Sequence, residues 1–140
     1  IFEHVQDMLS AFNARHDIST HVRNDAVQMV GTSGTVTTLT GIFLDLPRYN
    51  RDRVDGRQLD FNQLGTARDH LLALDRQERA AHPCIGPERA DLVVSGCAVL
   101  DAICALWPVG RLRVADRGLR EGILHGLMRT ADRESLPDGA

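Results

Sequence analysis

Apolar residues recur at helical spacing over most of this chain and at strand spacing in two short places. Phe2, Val5, Met8, Leu9 and Phe12 fall three or four apart, which predicts an amphipathic helix over residues 1–15. Residues 16–25 are polar and read as a loop. Ala26 to Val30 reads as a short buried strand ended by Gly31. From Thr35 onward, Val36, Leu39, Ile42, Phe43 and Leu46 return to helical spacing. The threonines and valines among them favour a strand by propensity, but the period is the stronger signal. It predicts a helix stopped by Pro47. Residues 47–58, rich in Arg, Asp and Asn, are expected as a solvated loop with an extended piece at Val54–Leu59.

Asp60 is placed to cap a helix carrying Phe61, Leu64, Ala67, Leu71 and Leu72, and a shorter helix follows at residues 75–81. His82 to Gly86 reads as a linker, and Pro87 suits a first helical turn. Leu92 to Trp107 is apolar nearly all round, as in a helix buried on most sides. Pro108 and Gly110 end it. Arg111 to Ala115 alternates as a strand, Asp116-Arg117-Gly118 turns it, and LREGILHGLM is the last helix. Residues 130–140 are a polar tail expected to fray. Strands alternating with helices predict a helix-rich α/β fold with few parallel strands, its folded unit spanning residues 1–129. Two or three short strands make an incomplete sheet, so part of the covering surface is expected from sequence beyond this chain. The start at Ile1 rather than Met fits a piece of a longer protein.

Parallel strands would bring two loops to one edge of the sheet. One is Gly31-Thr32-Ser33-Gly34-Thr35, whose small residues, hydroxyls and helix-start N–H groups can hold an anion. The other carries Asp116, Arg117, Gly118, Arg120 and Glu121, and open α/β sheets bind ligands outside the carboxyl ends of their strands. A carboxylate beside a phosphate holds a cation or orients a water. The spacing is neither Gly-x-x-x-x-Gly-Lys-Ser/Thr nor Gly-x-Gly-x-x-Gly. A capped strand-to-helix turn remains the competing account of the first loop. A cap with an arginine partner competes for Asp116, and an Arg89–Asp91 ion pair for Arg89.

Composition narrows the classes. The 140 residues carry a net charge of −3, which does not suit a general binder of nucleic acid or anionic membranes. All 16 cationic residues are arginine, a residue that grips phosphate with a planar fork. Cys84, Cys97 and Cys104 are odd in number and lack metal-ligand spacing, which fits packing in a reducing cytoplasm. No apolar run has the length of a membrane span, and no signal peptide is seen.

Three segments stand in an order that resembles a known family: VGTSGTVTTLTGIFLDLPRYNRDRVDG (Val30–Gly56), RADLVVSGCAVLDAI (Arg89–Ile103) and LRVADRGLREGIL (Leu112–Leu124). Together they resemble the C-terminal half of the core of the Ppx/GppA family, the exopolyphosphatases and guanosine pentaphosphate phosphohydrolases. The resemblance implies an incomplete second domain of the actin-like (ribonuclease H-like) fold. It implies removal of a terminal phosphate from polyphosphate or pppGpp with Mg²⁺, and phosphate binding by Gly31, Thr32, Ser33, Gly34 and Thr35. Arg89, Asp116, Arg117, Gly118, Arg120 and Glu121 would line the cleft. The family's other phosphate loops and its catalytic glutamate have no counterpart here, so no catalytic residue is expected in this chain and the isolated chain is expected to be inactive. Its partner would be the missing N-terminal domain of the same protein. The alternatives are a non-catalytic anion-binding or regulatory module and a dimerisation module, the latter through Leu92–Trp107.

Overall fold

The structure, a computed structural model, describes residues 1–134. Its elements in order are α1 (Phe2–His16), α2 (Ile18–Arg23), β1 (Met29–Gly31), α3 (Gly34–Phe43), α4 (Arg51–Val54), β2 (Gln58–Asp60), α5 (Phe61–Ala73), α6 (Arg76–Ala81), α7 (Leu92–Leu106), β3 (Arg111–Val114) and α8 (Leu119–Glu134).

The sheet is small and mixed. Its order is β1-β3-β2, with β1 parallel and β2 antiparallel to β3. The expected parallel pairing is present between β1 and β3, and β2 departs from it. Arg57 and Gly56 continue its antiparallel pairing with Val114, at 2.7 and 2.9 Å. Leu59, Leu112 and Val114 turn to the buried face, while Gln58, Arg111 and Arg113 stay exposed. α3 and α5 join that face in one core with Leu39, Val54, Leu64 and Leu71.

Helical period overrides β-propensity in α3 for a visible reason. Thr40 Oγ1 donates to the Val36 carbonyl (2.7 Å) and Thr37 Oγ1 to that of Gly34 (3.1 Å). These hydroxyls are satisfied by the preceding turn, so a threonine-rich helix can be buried. Only the Thr38 hydroxyl is buried without a partner among the described residues.

Five other expectations change. Residues 16–25 contain α2, because Asp17 takes a left-handed turn (φ 49°) and Asn13 Oδ1 accepts from both the amide (3.1 Å) and hydroxyl (2.9 Å) of Ser19. The 47–58 loop contains α4, capped by Asn50 and anchored by fully buried Val54. Pro87 does not open α7, which starts at Leu92 after a turn. Nor is α7 buried on most sides: Val93, Cys97 and Ala102 are, but Leu92 is 70% exposed. α1 packs along it, with Trp107 Nε1 donating to Asn13 Oδ1 at 2.8 Å. α8 runs on through residues 130–134, so that part of the tail is helical. The rest of the expected tail, 135–140, lies outside the described residues.

Asp60 does cap α5, in a reciprocal box with Gln63 (2.8 and 3.0 Å). Asp60→Ala should lower the unfolding free energy by about 1 kcal/mol. Urea denaturation checks this, and an unchanged midpoint would refute it.

Candidate functional site

Because β1 and β3 are parallel, their C-terminal loops emerge at one edge, joined by a 2.9 Å bond from the Ala115 amide to the Gly31 carbonyl. The two loops singled out in the sequence are thus neighbours.

The first loop leads into α3. Ser33 is the N-cap, and its hydroxyl accepts from the Val36 amide at 3.4 Å. Thr32, Ser33 and Gly34 are exposed and Thr35 is half-buried. The amides that open a helix have no intrahelical acceptor and sit at the positive end of its dipole. Over this turn lies Arg89. A Cβ on Gly34 would come within 3.0 Å of Arg89 Nη1 and 3.2 Å of Cζ, so glycine is what lets the guanidinium approach. The expected Arg89–Asp91 ion pair is not formed, since Asp91 pairs with Arg76 at 3.1 Å. Among the described residues no carboxylate pairs with Arg89. A cleft of about 320 Å³ runs from Gly34 and Arg89 past Tyr49 to Asp116.

The second loop is held by a charge network. Tyr49 Oη donates to Asp116 Oδ2 at 2.7 Å. Arg51 Nε lies 3.5 Å from the same oxygen, and its Nη2 donates to the Asp116 carbonyl and to Glu121 Oε1 (3.0 Å). Asp55 accepts from the Asp116 amide (2.9 Å) and from Arg117 Nε (3.0 Å). Both bonds, the amide first, hold the Asp55 carboxyl below the usual range. Glu121 Oε2 accepts from the Gly118 amide at 2.8 Å. A second cleft, about 480 Å³, spans Thr32, Arg51, Asp116 and the Arg117–Glu121 segment. Arg120 lines it with no carboxylate partner among the described residues.

The Gly118 amide and then Arg51 pull the Glu121 pKa down to about 2. A depressed folded-state pKa stabilises the loop above the ordinary value of 4.5, and that contribution is lost as pH falls toward 2. An NMR titration should give Glu121 a midpoint near 2, and Arg51→Gln should raise it toward 4.5. A midpoint unmoved by that substitution would show that the bridge does not act.

The donor set does not fit a resident Mg²⁺. Asp116, Glu121 and Asp55 are each engaged by arginine, and no group of three His, Cys, Asp or Glu able to hold a metal exists among the described residues. No helix among them is long and apolar enough to cross a membrane.

The structure thus brings Gly34, Arg89 and Asp116 to one cleft and Thr32, Arg117, Gly118, Arg120 and Glu121 to the adjoining one, while Thr35 lines a separate pocket with Gly34, Arg89 and Leu92. Sequence reasoning missed Tyr49, Arg51 and Asp55, which lie in a stretch discounted as solvated. The sole tyrosine in an otherwise charged run was the available signal. The Ser95-Gly96 pair reads in the sequence as a place of close approach to a neighbour, and that neighbour is Thr35: a Cβ on Gly96 would meet Thr35 Cβ at 3.1 Å and Cγ2 at 3.2 Å, so α7 presses directly on the first loop.

Comparison with known proteins gives a consistent result. The model of the Ppx/GppA phosphatase family matches residues 1–131. The structure is similar to the type II variant of the Aquifex aeolicus Ppx/GppA phosphatase (25% identity, TM-score 0.72), covering 88% of this chain and 38% of that one. It is similar to an exopolyphosphatase-like protein (28% identity, TM-score 0.68), covering 83% of this chain and 42% of that one. An exopolyphosphatase from Cytophaga hutchinsonii (20% identity, TM-score 0.70, 92% and 42% covered) shares the fold. No curated protein matches. The chain spans about two fifths of the length of these solved relatives.

Proposed function

Since this chain belongs to the Ppx/GppA phosphatase family, we propose that it supplies one wall of a phosphohydrolase cleft acting on the terminal phosphate of polyphosphate or pppGpp. The observation that carries this is the Arg89 guanidinium, without a carboxylate partner among the described residues, poised over the amides that open α3. Backbone N–H groups of Gly34 and Thr35 and the Arg89 fork would receive phosphate oxygens from two directions. Thr32 would meet the next phosphate of a chain-like substrate. Asp116 and Glu121, tied to Arg51, hold the second loop in place rather than meet substrate. Any Mg²⁺ used by the complete enzyme would be bound by groups outside the described residues, and so would the catalytic base. Phosphoryl transfer relies on positioning and charge stabilisation from several sides, so one wall alone should not catalyse.

The test joins this chain to the remainder of the Aquifex aeolicus enzyme, in place of the segment it resembles. The joined protein should release phosphate from polyphosphate or pppGpp, and the isolated chain should not. Gly34→Val should lower the rate by driving Arg89 off the loop while the thermal midpoint holds. A folded joined protein without hydrolysis sinks the enzymatic reading. Retained polyphosphate binding at moderate salt would then favour the second reading, a non-catalytic anion-binding module, which the same position of Arg89 over the loop supports.

A further inference from the structure

α8 is amphipathic with its apolar side turned to solvent. Leu119, Ile123, Leu124, Leu127 and Met128 are all between 55% and 80% exposed. At 100° per residue they cover about half the helix surface, with Glu121, His125, Arg129 and Asp132 opposite. Sixteen residues interrupted by Gly122 and Gly126 make a marginal helix in water, each glycine costing about 1 kcal/mol against alanine. Such a helix persists when its apolar face is buried. Arg51, bridging Asp116 and Glu121, fixes the direction in which α8 leaves the cleft.

We propose that the apolar stripe of α8 is the docking surface for the remainder of a Ppx/GppA chain, so that whatever sits on α8 also faces the anion loops. This rests on the reading of the chain as one wall of a family cleft. Two observations select that occupant. The chain spans only 38–42% of its solved relatives, so more than half of a family-length protein lies outside it. Arg120 also falls within the stripe's arc and has no carboxylate partner among the described residues. A second copy docked through the same stripe would bring two such arginines into one interface, a like-charge burial that costs stability. A heterologous surface can instead offer an apolar groove with a carboxylate opposite Arg120.

Hydrogen exchange of the α8 amides in the isolated chain and in the joined protein tests this. Joining should slow exchange roughly tenfold or more, and Ile123→Glu with Leu127→Glu should reverse the slowing. In the isolated chain the same double substitution should leave the thermal midpoint unchanged. Equal exchange in the two proteins overturns the proposal. So does protection in the dilute isolated chain, which would mean that α8 packs on its own body. Protection of the isolated chain that grows with its concentration overturns it in favour of a second copy. If the joined protein lacks a cooperative unfolding transition, the remainder is added as a separate polypeptide and the same comparison is made. Protection without hydrolysis keeps the docking surface and removes the phosphohydrolase reading. Hydrolysis without protection does the reverse.

Discussion

The single tyrosine of this chain should titrate near pH 12, two units above its ordinary value of 10. Burial against the cleft is the larger cause, and the bond to the Asp116 carboxylate is the next. Both act in one direction: tyrosinate loses water at this position and meets a negative charge instead of a donor. Asp116→Asn keeps the shape and an accepting oxygen but removes the charge. It should bring the midpoint down toward 10. The linkage sign follows. A raised folded-state pKa contributes stability that is whole below pH 10 and is lost as pH rises through 12. Cys97 and Cys104, raised by burial to about 11, lose theirs over a similar window, so the fold should weaken progressively on the alkaline side. The tyrosinate absorbance reads Tyr49 alone, because the chain has no other tyrosine, and circular dichroism at each pH confirms that it is still folded. A midpoint near 10 in the folded protein would mean that Tyr49 is neither buried against the cleft nor bonded to Asp116, leaving Arg51 and Asp55 as the second loop's side-chain ties to the 47–57 stretch.

Residue patterns expose most of the elements and half of the candidate site, and the gaps have physical causes. The long amphipathic helices and the strand at Arg111 are legible because each buries one face and so imposes its period on the sequence. α2 and α4 are not. They are one or two turns long, and Asn13, Asp17 and Asn50 make them through local bonds that leave no period. β2 is legible only as part of the extended piece expected at Val54–Leu59, and its antiparallel direction is hidden because direction is set by tertiary pairing. The first loop is legible as a candidate because small and hydroxylated residues at a strand-to-helix junction suit a cap or an anion. Its neighbours are less so. Arg89 looks bound to Asp91 by proximity in sequence, yet Arg76 takes that carboxylate from across the fold. Tyr49 and Arg51 act on residues 67 and 65 positions away, a separation no local pattern encodes. The apolar run of α7 suggests more burial than the chain provides. That excess, together with the bare stripe of α8, is what an incomplete core looks like from within one piece of it.

Gly96→Val should cost about 1–3 kcal/mol, the usual range for overpacking, and lower the melting temperature by roughly 3–9 °C. The added Cβ alone lies 3.1 Å from Thr35 Cβ and 3.2 Å from Cγ2, closer than side chains normally sit, and the two further methyl groups add to the crowding. α7 cannot simply move away, because Val93 and Cys97 on either side of Gly96 are buried in the core. Thr35 belongs to the first turn of α3, so the strain falls on the amides proposed to hold phosphate. In the joined protein the hydrolysis rate should therefore drop by about 100-fold, the scale expected when reacting groups are misplaced by about 1 Å. Gly65→Ala is the control. It also puts a methyl group into a helix, but its Cβ would meet only Arg68 Nη2, at 3.8 Å. It should be neutral or slightly stabilising, since alanine is the better helix former. Equal melting temperatures for the two variants would mean that α7 does not press on the loop. A destabilised Gly96→Val protein with an unchanged rate per folded molecule would separate the packing from the site, and would remove Thr35 and its turn from the phosphate path.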